Sequence, residues 1–413
     1  MNSFQPDSGF SIRRALPAAA FVVMVAVMTL AAAPPADAQT YTVLHDFTGG
    51  VDGGLPHQLT LGGDGNFYGT STLGGANSQG NLYRLDTSGT LTVLYSFTGG
   101  AGGCMPEGSV FRDSNGDLYG TTHQCGDPHC SCGVFFKLGA SNVLTILHTF
   151  TKGADGSGPE GEYPSNNLVS VNGELYGTTE AGGSTGWGVL YKITKTGHYT
   201  VLQSLPEGGI GAQGDLTRDS AGNIYGETWG PSYGSIFELD TAGNFSTAYT
   251  FADGVDDGGG PVGRLLLGAG GTFTGASSYT PAPNSCGLIY RLESDGTETA
   301  LHHFFAADGE NGCSPQTGVI DVGGTLYGTT AEGGGPSVTY CYFGSGCGVL
   351  FQISPSGVYS VLHRFTGPEG AWPQDELTKG NDGNVYGVAK LGGTGNCGSS
   401  TAPGCGVIFK YTP

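Results

Sequence analysis

The sequence predicts an all-β fold: a seven-bladed β-propeller with four-stranded antiparallel blades, its ring closed by the N-terminal strand completing the last blade. Three observations predict it. A short phrase returns seven times, strand-like runs are bounded by turn residues, and the two ends of the chain complement each other. The phrase reads Asn66-Phe67-Tyr68-Gly69-Thr70, then Leu118-Tyr119-Gly120-Thr121-Thr122, Leu175-Tyr176-Gly177-Thr178-Thr179 and Ile224-Tyr225-Gly226-Glu227-Thr228. It degrades to Thr272-Phe273-Thr274-Gly275 and returns as Leu326-Tyr327-Gly328-Thr329-Thr330 and Val385-Tyr386-Gly387. Its glycines lie 51, 57, 49, 49, 53 and 59 residues apart. Self-similarity at this period marks a repeat architecture.

The elements of one unit follow in order. Pro56 opens it, and Leu59-Thr60-Leu61 is a first strand, turned by Gly63-Asp64-Gly65. Asn66 to Thr70 is a second strand, and a Gly-rich loop runs from Leu73 to Gly80. Asn81 to Leu85 is a third strand, and Thr90 to Phe97 is a fourth. Strands this short, separated by Gly, Asn and Asp turns, read as antiparallel β structure. No window carries a helical period. Six of seven units begin with Pro: Pro56, Pro106, Pro164, Pro261, Pro315 and Pro373, with Gln213 in the fourth. Pro suits the first residue of a strand, where its missing N–H breaks no ladder bond. Four-stranded units of about fifty residues are propeller blades; a β-solenoid has much shorter repeats. At the ends, Tyr41 to Phe47 is a fourth strand with no blade before it, and Gly406 to Tyr411 is a third strand with none after it. Pairing the two closes the ring and removes an open edge.

Residues 1–38 read as a secretory leader. Arg13 and Arg14 precede an apolar run from Ala15 to Ala33, and Ala36-Asp37-Ala38 offers a cleavage site. Residues 39–413 form one propeller domain, expected to be soluble, monomeric, and secreted or periplasmic, with no membrane span and no C-terminal anchor. A net charge of -20 with only 15 Lys and Arg excludes partners that need clustered cations, nucleic acid and anionic membranes among them.

The phrases resemble the GloVer repeat of the choice-of-anchor tandem repeat proteins, a bacterial secreted family. The Leu-Tyr-Gly-Thr-Thr runs carry the likeness, as do the pairs Gly74-Gly75, Gly182-Gly183, Gly333-Gly334 and Gly392-Gly393, and third strands leading into Val-Leu-His-x-Phe. It covers residues 41–413. It implies an extracellular or envelope location and brings no catalytic residues.

In a propeller the loops between second and third strands share a face, here the upper face, with the connectors between blades. All ten cysteines fall there: Cys104, Cys125, Cys130, Cys132, Cys286, Cys313, Cys341, Cys347, Cys397 and Cys405. An even count in an exported chain reads as disulfides. Cys341–Cys347 and Cys397–Cys405 staple their own loops, and Cys286–Cys313 links blades five and six. Cys104 pairs with one of Cys125, Cys130 and Cys132, and the other two pair together. A zinc shell from His123, His129 and three of these thiols is the competing reading, disfavoured by the compartment. Asp113-Ser114-Asn115-Gly116-Asp117 resembles a calcium loop, yet it occupies a turn position and lacks the closing Glu. Calcium has a better place near Asp253, Asp256 and Asp257, where a solvated loop is the plainer expectation. No other cofactor is implied. His45, His148, His302 and His363 share one outer-strand position with Tyr95, Gln203 and Tyr249, which suits packing rather than catalysis.

Trp187, Trp229, Tyr233, Tyr342 and Trp372 lie in upper-face loops and are the candidate ligand-binding residues, since exposed rings stack on sugars. For Trp372, plugging the gap between blades is the stronger expectation. No nucleophile elbow, phosphate loop or nucleotide fingerprint is present. The expected function is a secreted or envelope-associated binding module for glycans or surface proteins. The alternative is a carbohydrate-active hydrolase or lyase with carboxylates in the central funnel, drawn from residues such as Glu107, Glu160, Glu162 and Asp375. A purely structural surface-layer component is a third possibility.

Overall fold

A computed structural model describes residues 39–413 except 153–157, 165–166, 207–213, 230–232, 253–257, 281–282, 307–308, 336–340, 342–345 and 398–403. Seven antiparallel sheets follow one another along the chain. Blade two is typical, with strands Phe111–Arg112, Leu118–Thr122, Val134–Leu138 and Leu144–Thr149. Blade seven combines Thr378–Lys379, Val385–Ala389 and Val407–Thr412 with Thr40–Asp46 from the opposite end of the chain. The closing pair sets Thr40 opposite Thr412 and Asp46 opposite Val407. The molecule is the closed seven-bladed propeller read from the sequence, with no α-helix among the described residues. None of their helices is long and apolar enough to cross a membrane.

The repeat glycine exists because a ring covers it. Gly69 pairs with Tyr83, Gly120 with Phe136 and Gly387 with Phe409. A Cβ on Gly69 would lie 2.7 Å from the Tyr83 ring, and one on Gly387 would lie 2.4 Å from the Phe409 ring. The other four repeat glycines meet Tyr191, Phe237, Tyr290 and Phe351 in the same way. An aromatic residue on the partner strand thus fills the space glycine leaves, which fixes the register. The tyrosine before the glycine turns to the next blade. Tyr68 packs with Val110 and Leu118, and Tyr386 with Leu59 and Phe67.

All seven outer strands carry a bulge at one place, which leaves Leu44, Leu94, Leu147, Leu202, Ala248, Leu301 and Leu362 unpaired. The extra residue bends the edge strand and re-aims the next side chain. That side chain is His in four blades. His148 stacks on Tyr199 at 4.1 Å, His302 on Tyr359 at 3.6 Å, and His363 on Tyr41 at 3.7 Å. Each of these pairs joins neighbouring blades, so the histidines serve packing.

The prolines do not open the first strands. Gly54–Pro56 and Glu162–Pro164 end at theirs, and Pro261 lies within Gly259–Leu267. Their role is to join blades. The residue before each Pro has positive φ: 54° at Leu55, 52° at Met105, 60° at Tyr163, 62° at Gly260, 58° at Ser314 and 60° at Trp372. In that conformation its N–H reaches back to the preceding blade. Leu55 donates to the Cys405 carbonyl, Met105 to Gln79, Tyr163 to Cys132, Gly260 to Tyr233, Ser314 to Cys286 and Trp372 to Cys347. Each acceptor precedes the glycine that opens a third strand, and the Pro ring lies on that glycine. A Cβ on Gly133 would come 2.9 Å from Pro164 Cδ, and one on Gly406 2.4 Å from Pro56 Cδ.

Five disulfides reinforce the upper face: Cys104–Cys125, Cys130–Cys132, Cys286–Cys313, Cys341–Cys347 and Cys397–Cys405. They indicate an oxidising compartment.

Candidate functional site

The first strands surround the axis, and their pairing makes the seven blades comparable residue by residue. Thr60, Phe111, Val169, Thr217, Leu266, Ile320 and Thr378 each face the residue before the repeat glycine. One residue earlier, every blade has a buried Leu or Val, from Leu59 through Leu377. Two residues earlier, no two blades agree: Gln58, Ser109, Asn167, Asp215, Arg264, Gly318 and Glu376. The packing position is uniform, while the position beside it carries a different chemistry in each blade.

This ring separates two axial cavities. Above it is a polar vestibule of about 120 Å³, lined by Glu107, Asp215, Gln316, Thr317, Gln374 and Asp375 among others. Below it a wider cavity of about 720 Å³ opens to the lower face. Gln58, Ser109, Asn167 and Glu376 line both. The Glu376 carboxylate accepts from Gln58 Nε2 at 3.3 Å and lies 3.4 Å from Arg264 Nε. The Asn167 N–H donates to Asp215 at 3.0 Å, and its side-chain amide brackets the backbone of Leu216. Asp375 accepts from the Gln58 N–H at 3.2 Å and lies 3.5 Å from His57 Nδ1. Behind the ring, Glu227 is fully buried and accepts from the Tyr290 hydroxyl at 2.7 Å. Glu227 Oε2 and Glu376 Oε1 have no hydrogen-bond partner.

Burial sets the electrostatics. It pushes the Glu227 carboxyl up to about 8, opposed by the Tyr290 hydroxyl and assisted by Glu376 and Asp215. It lifts Glu376 to about 7 against the pull of Arg264, and raises Asp215 against the same guanidinium. At Asp375 burial is outweighed by His57, Lys390 and the Gln58 N–H, and the pKa falls below the usual carboxylate value. Neighbouring carboxyl groups are thereby driven apart in acidity. At neutral pH, Asp375 is ionised while Glu227 holds a proton.

The residues singled out from sequence fall mostly elsewhere. Trp229 packs between blades four and five and donates from Nε1 to the Pro261 carbonyl at 3.2 Å. Trp372 packs in the core shared by blades six and seven, and Tyr233 packs beside Ile236 and Phe251. Trp187 is half-buried in its loop. None of these four lines an axial cavity. Tyr342 and the calcium candidates Asp253, Asp256 and Asp257 lie outside the described residues. Of the carboxylates named for catalysis, Glu107 and Asp375 reach the vestibule. Glu160 faces His148, and Glu162 pairs with Lys152 at 3.4 Å. Asp113 accepts the N–H groups of Asn115 and Asp117, as a turn residue does. The thiols around His123 are oxidised, and no cluster of three metal-ligating side chains occurs among the described residues. Asp215, Glu227, Arg264 and Glu376 were not singled out. Glu227 left one trace in the sequence, a Glu where four other blades have Thr70, Thr121, Thr178 and Thr329.

The sequence matches the model of a family described as Gloeobacter/Verrucomicrobia repeat over residues 29–167 and 163–401. No curated protein matches it. Among solved structures it is similar to virginiamycin B lyase from Staphylococcus aureus, at 14% identity and a TM-score of 0.56, covering 91% of this chain and 99% of that one. It is similar to the GH74 xyloglucanase from Xanthomonas campestris at 12% identity and a TM-score of 0.56, covering 85% of this chain. There it spans about half of the enzyme, 52% of that chain. A protein from Lactobacillus plantarum aligns at 14% identity and a TM-score of 0.52, over 84% of this chain and 99% of that one. At these identities the likeness is one of fold.

Proposed function

Since this chain belongs to the Gloeobacter/Verrucomicrobia repeat family and folds as a closed propeller, we propose that it is a secreted or envelope-associated binding module that takes up a glycan, or a polar segment of a surface protein, at its axial ring. The carrying observation is the ring position itself. Folding explains the seven apolar residues from Leu59 to Leu377 but gives no reason for Asp215, Arg264 and Glu376 beside them. Placing carboxylates there costs desolvation that Arg264, Gln58 and Asn167 offset only in part, since Glu376 Oε1 has no partner. Convergent amides, carboxyl groups and a guanidinium are the groups that bind hydroxyl-rich ligands. The five disulfides support an oxidising location. Removal of the leader belongs to the same reading; N-terminal sequencing of the exported protein should begin near Gln39, and an intact Met1 would contradict it.

The test is calorimetric titration of the exported protein with oligosaccharides drawn from a glycan panel. Binding without turnover is expected, and Glu376→Gln should weaken it about tenfold by removing an acceptor. Unchanged affinity in Glu376→Gln, with loss in Trp187→Ala, would move the site to the loops. A hydrolase or lyase is the second reading. It is favoured by the split between ionised Asp375 and the raised Glu376, the pattern of an acid paired with a base. Released reducing ends or unsaturated products would support it.

A further inference from the structure

The vestibule above the axial ring carries charge of one sign. Four carboxyl groups line it, Glu107, Asp215, Asp375 and Glu376, and no Lys or Arg does so among the described residues. The other lining side chains are amides and hydroxyls, with no aromatic ring and no aliphatic side chain among them. Three of the carboxyl groups sit close enough to oppose one another's ionisation. Asp215 and Asp375 both push Glu376 up, and Asp375 pushes Asp215 up. Arg264 pulls Glu376 and Asp215 back down, and His57 and Lys390 do the same for Asp375. None of these three cations is among the lining residues.

One residue brings two of the carboxyl groups together. The Gln58 N–H donates to Asp375 Oδ1 at 3.2 Å, and its side-chain Nε2 donates to Glu376 Oε2 at 3.3 Å. Glu376 is only 6% exposed, and its second oxygen, Oε1, has no hydrogen-bond partner. A buried acceptor in that state is costly until a donor reaches it. No group of three metal-ligating side chains occurs among the described residues, so the donor set is wrong for a metal ion and suits an organic cation. An ammonium group offers three donors and a positive charge. A lysine side chain would bring its methylene stem into a space without an apolar wall. An amino sugar surrounds its ammonium with hydroxyls instead, and the lining amides can bind those.

We infer that the vestibule selects glycans carrying a free amino group, with the ammonium at Asp375 and Glu376 and the adjoining hydroxyls on the surrounding amides. This rests on the reading of the axial ring as a glycan site and narrows it from hydroxyl-rich glycans in general to amino sugars. With no ring available for stacking, charge complementarity sets the preference.

The test is calorimetric titration of the mature protein with a glucosamine tetramer and with the same tetramer fully N-acetylated, which keeps the sugar backbone and removes the charge. At about pH 6 the amino form is expected to bind at least about tenfold more tightly than the acetylated form. Raising sodium chloride from about 0.05 M to about 0.5 M should weaken the amino form several-fold and leave the acetylated form within about twofold. Asp375→Asn should bring the two affinities within about threefold of each other. The salt series needs no variant, so it stands even if that substitution disturbs folding. Equal affinities, a preference for the acetylated form, indifference of the amino form to salt, or an unchanged ratio in folded Asp375→Asn would overturn the inference and leave the ring a glycan site. Binding of neither tetramer would also overturn it, and failure of every glycan on the panel would overturn the proposed function with it.

Discussion

Two kinds of residue shape the interior: glycines that make room and carboxyl groups that occupy it. Gly69 needs no unusual backbone angle; what it provides is space for the Tyr83 ring. Gly69→Ala should therefore destabilise by about 1–3 kcal/mol, the range of core overpacking, measured by urea unfolding with the disulfides intact. An effect within about 0.5 kcal/mol would contradict the packing account. Glu227 shows the opposite economy, a buried acid with one oxygen unpartnered. Its folded pKa, about 8, lies above its ordinary value of 4.5. The stabilising contribution of the bound proton is then complete below pH 4.5 and is lost as pH rises through 8. Glu227→Gln should match the wild type near pH 4.5 and exceed it in stability above pH 8. Equal curves across that range would contradict the burial assignment. This residue was half-legible. The phrase shows a Glu in a Thr position, but its burial depends on Gly214, just before the first strand of its own blade, and on Tyr290 of the next blade.

At the scale of elements, second, third and fourth strands were legible because each is a short apolar run between turn residues. The first strands were less so. In blade one the strand is split into Gly54–Pro56 and Thr60–Leu61, because the residue before Pro turns to positive φ and spends its N–H on the neighbouring blade. No local signal reveals that bond, since its acceptor, Cys405, is far away in sequence. The same limit explains the aromatic residues. Trp229 sits in a loop, where a ring reads as exposed, yet it is a wedge between blades; for Trp372 the place before Pro373 already favoured that role, and it packs so. The axial ring was hidden for a related reason. Gln58, Asp215 and Glu376 look like ordinary polar residues until strand pairing shows that they occupy one level. Gly133→Ala offers a test of the connector clamp. The added Cβ would meet the Thr122 carbonyl at 2.2 Å and Pro164 Cδ at 2.9 Å, at a φ of 93°. The loss of stability should exceed that of Gly69→Ala, because strained backbone adds to the clash and the contact joins two blades. A smaller loss would mean that the blades are not joined there.

At the scale of the whole molecule, the ring closes by the same devices that join its neighbours, plus one strand. Leu55 donates to Cys405, Thr378 donates to the Leu59 carbonyl at 2.6 Å, and Thr40–Asp46 completes the last sheet. Closure makes the axis a single enclosed place, and the seven first strands bring their differing residues to it. The proposed function resides on this axis, not in the loops that carry the tryptophans. Hydrogen–deuterium exchange of the exported protein, with and without a bound oligosaccharide, tests it most directly. The account predicts added protection in first-strand segments from several blades, around Gln58, Ser109, Asn167, Arg264 and Glu376. Protection confined to the loop around Trp187, with the first strands unchanged, would contradict it.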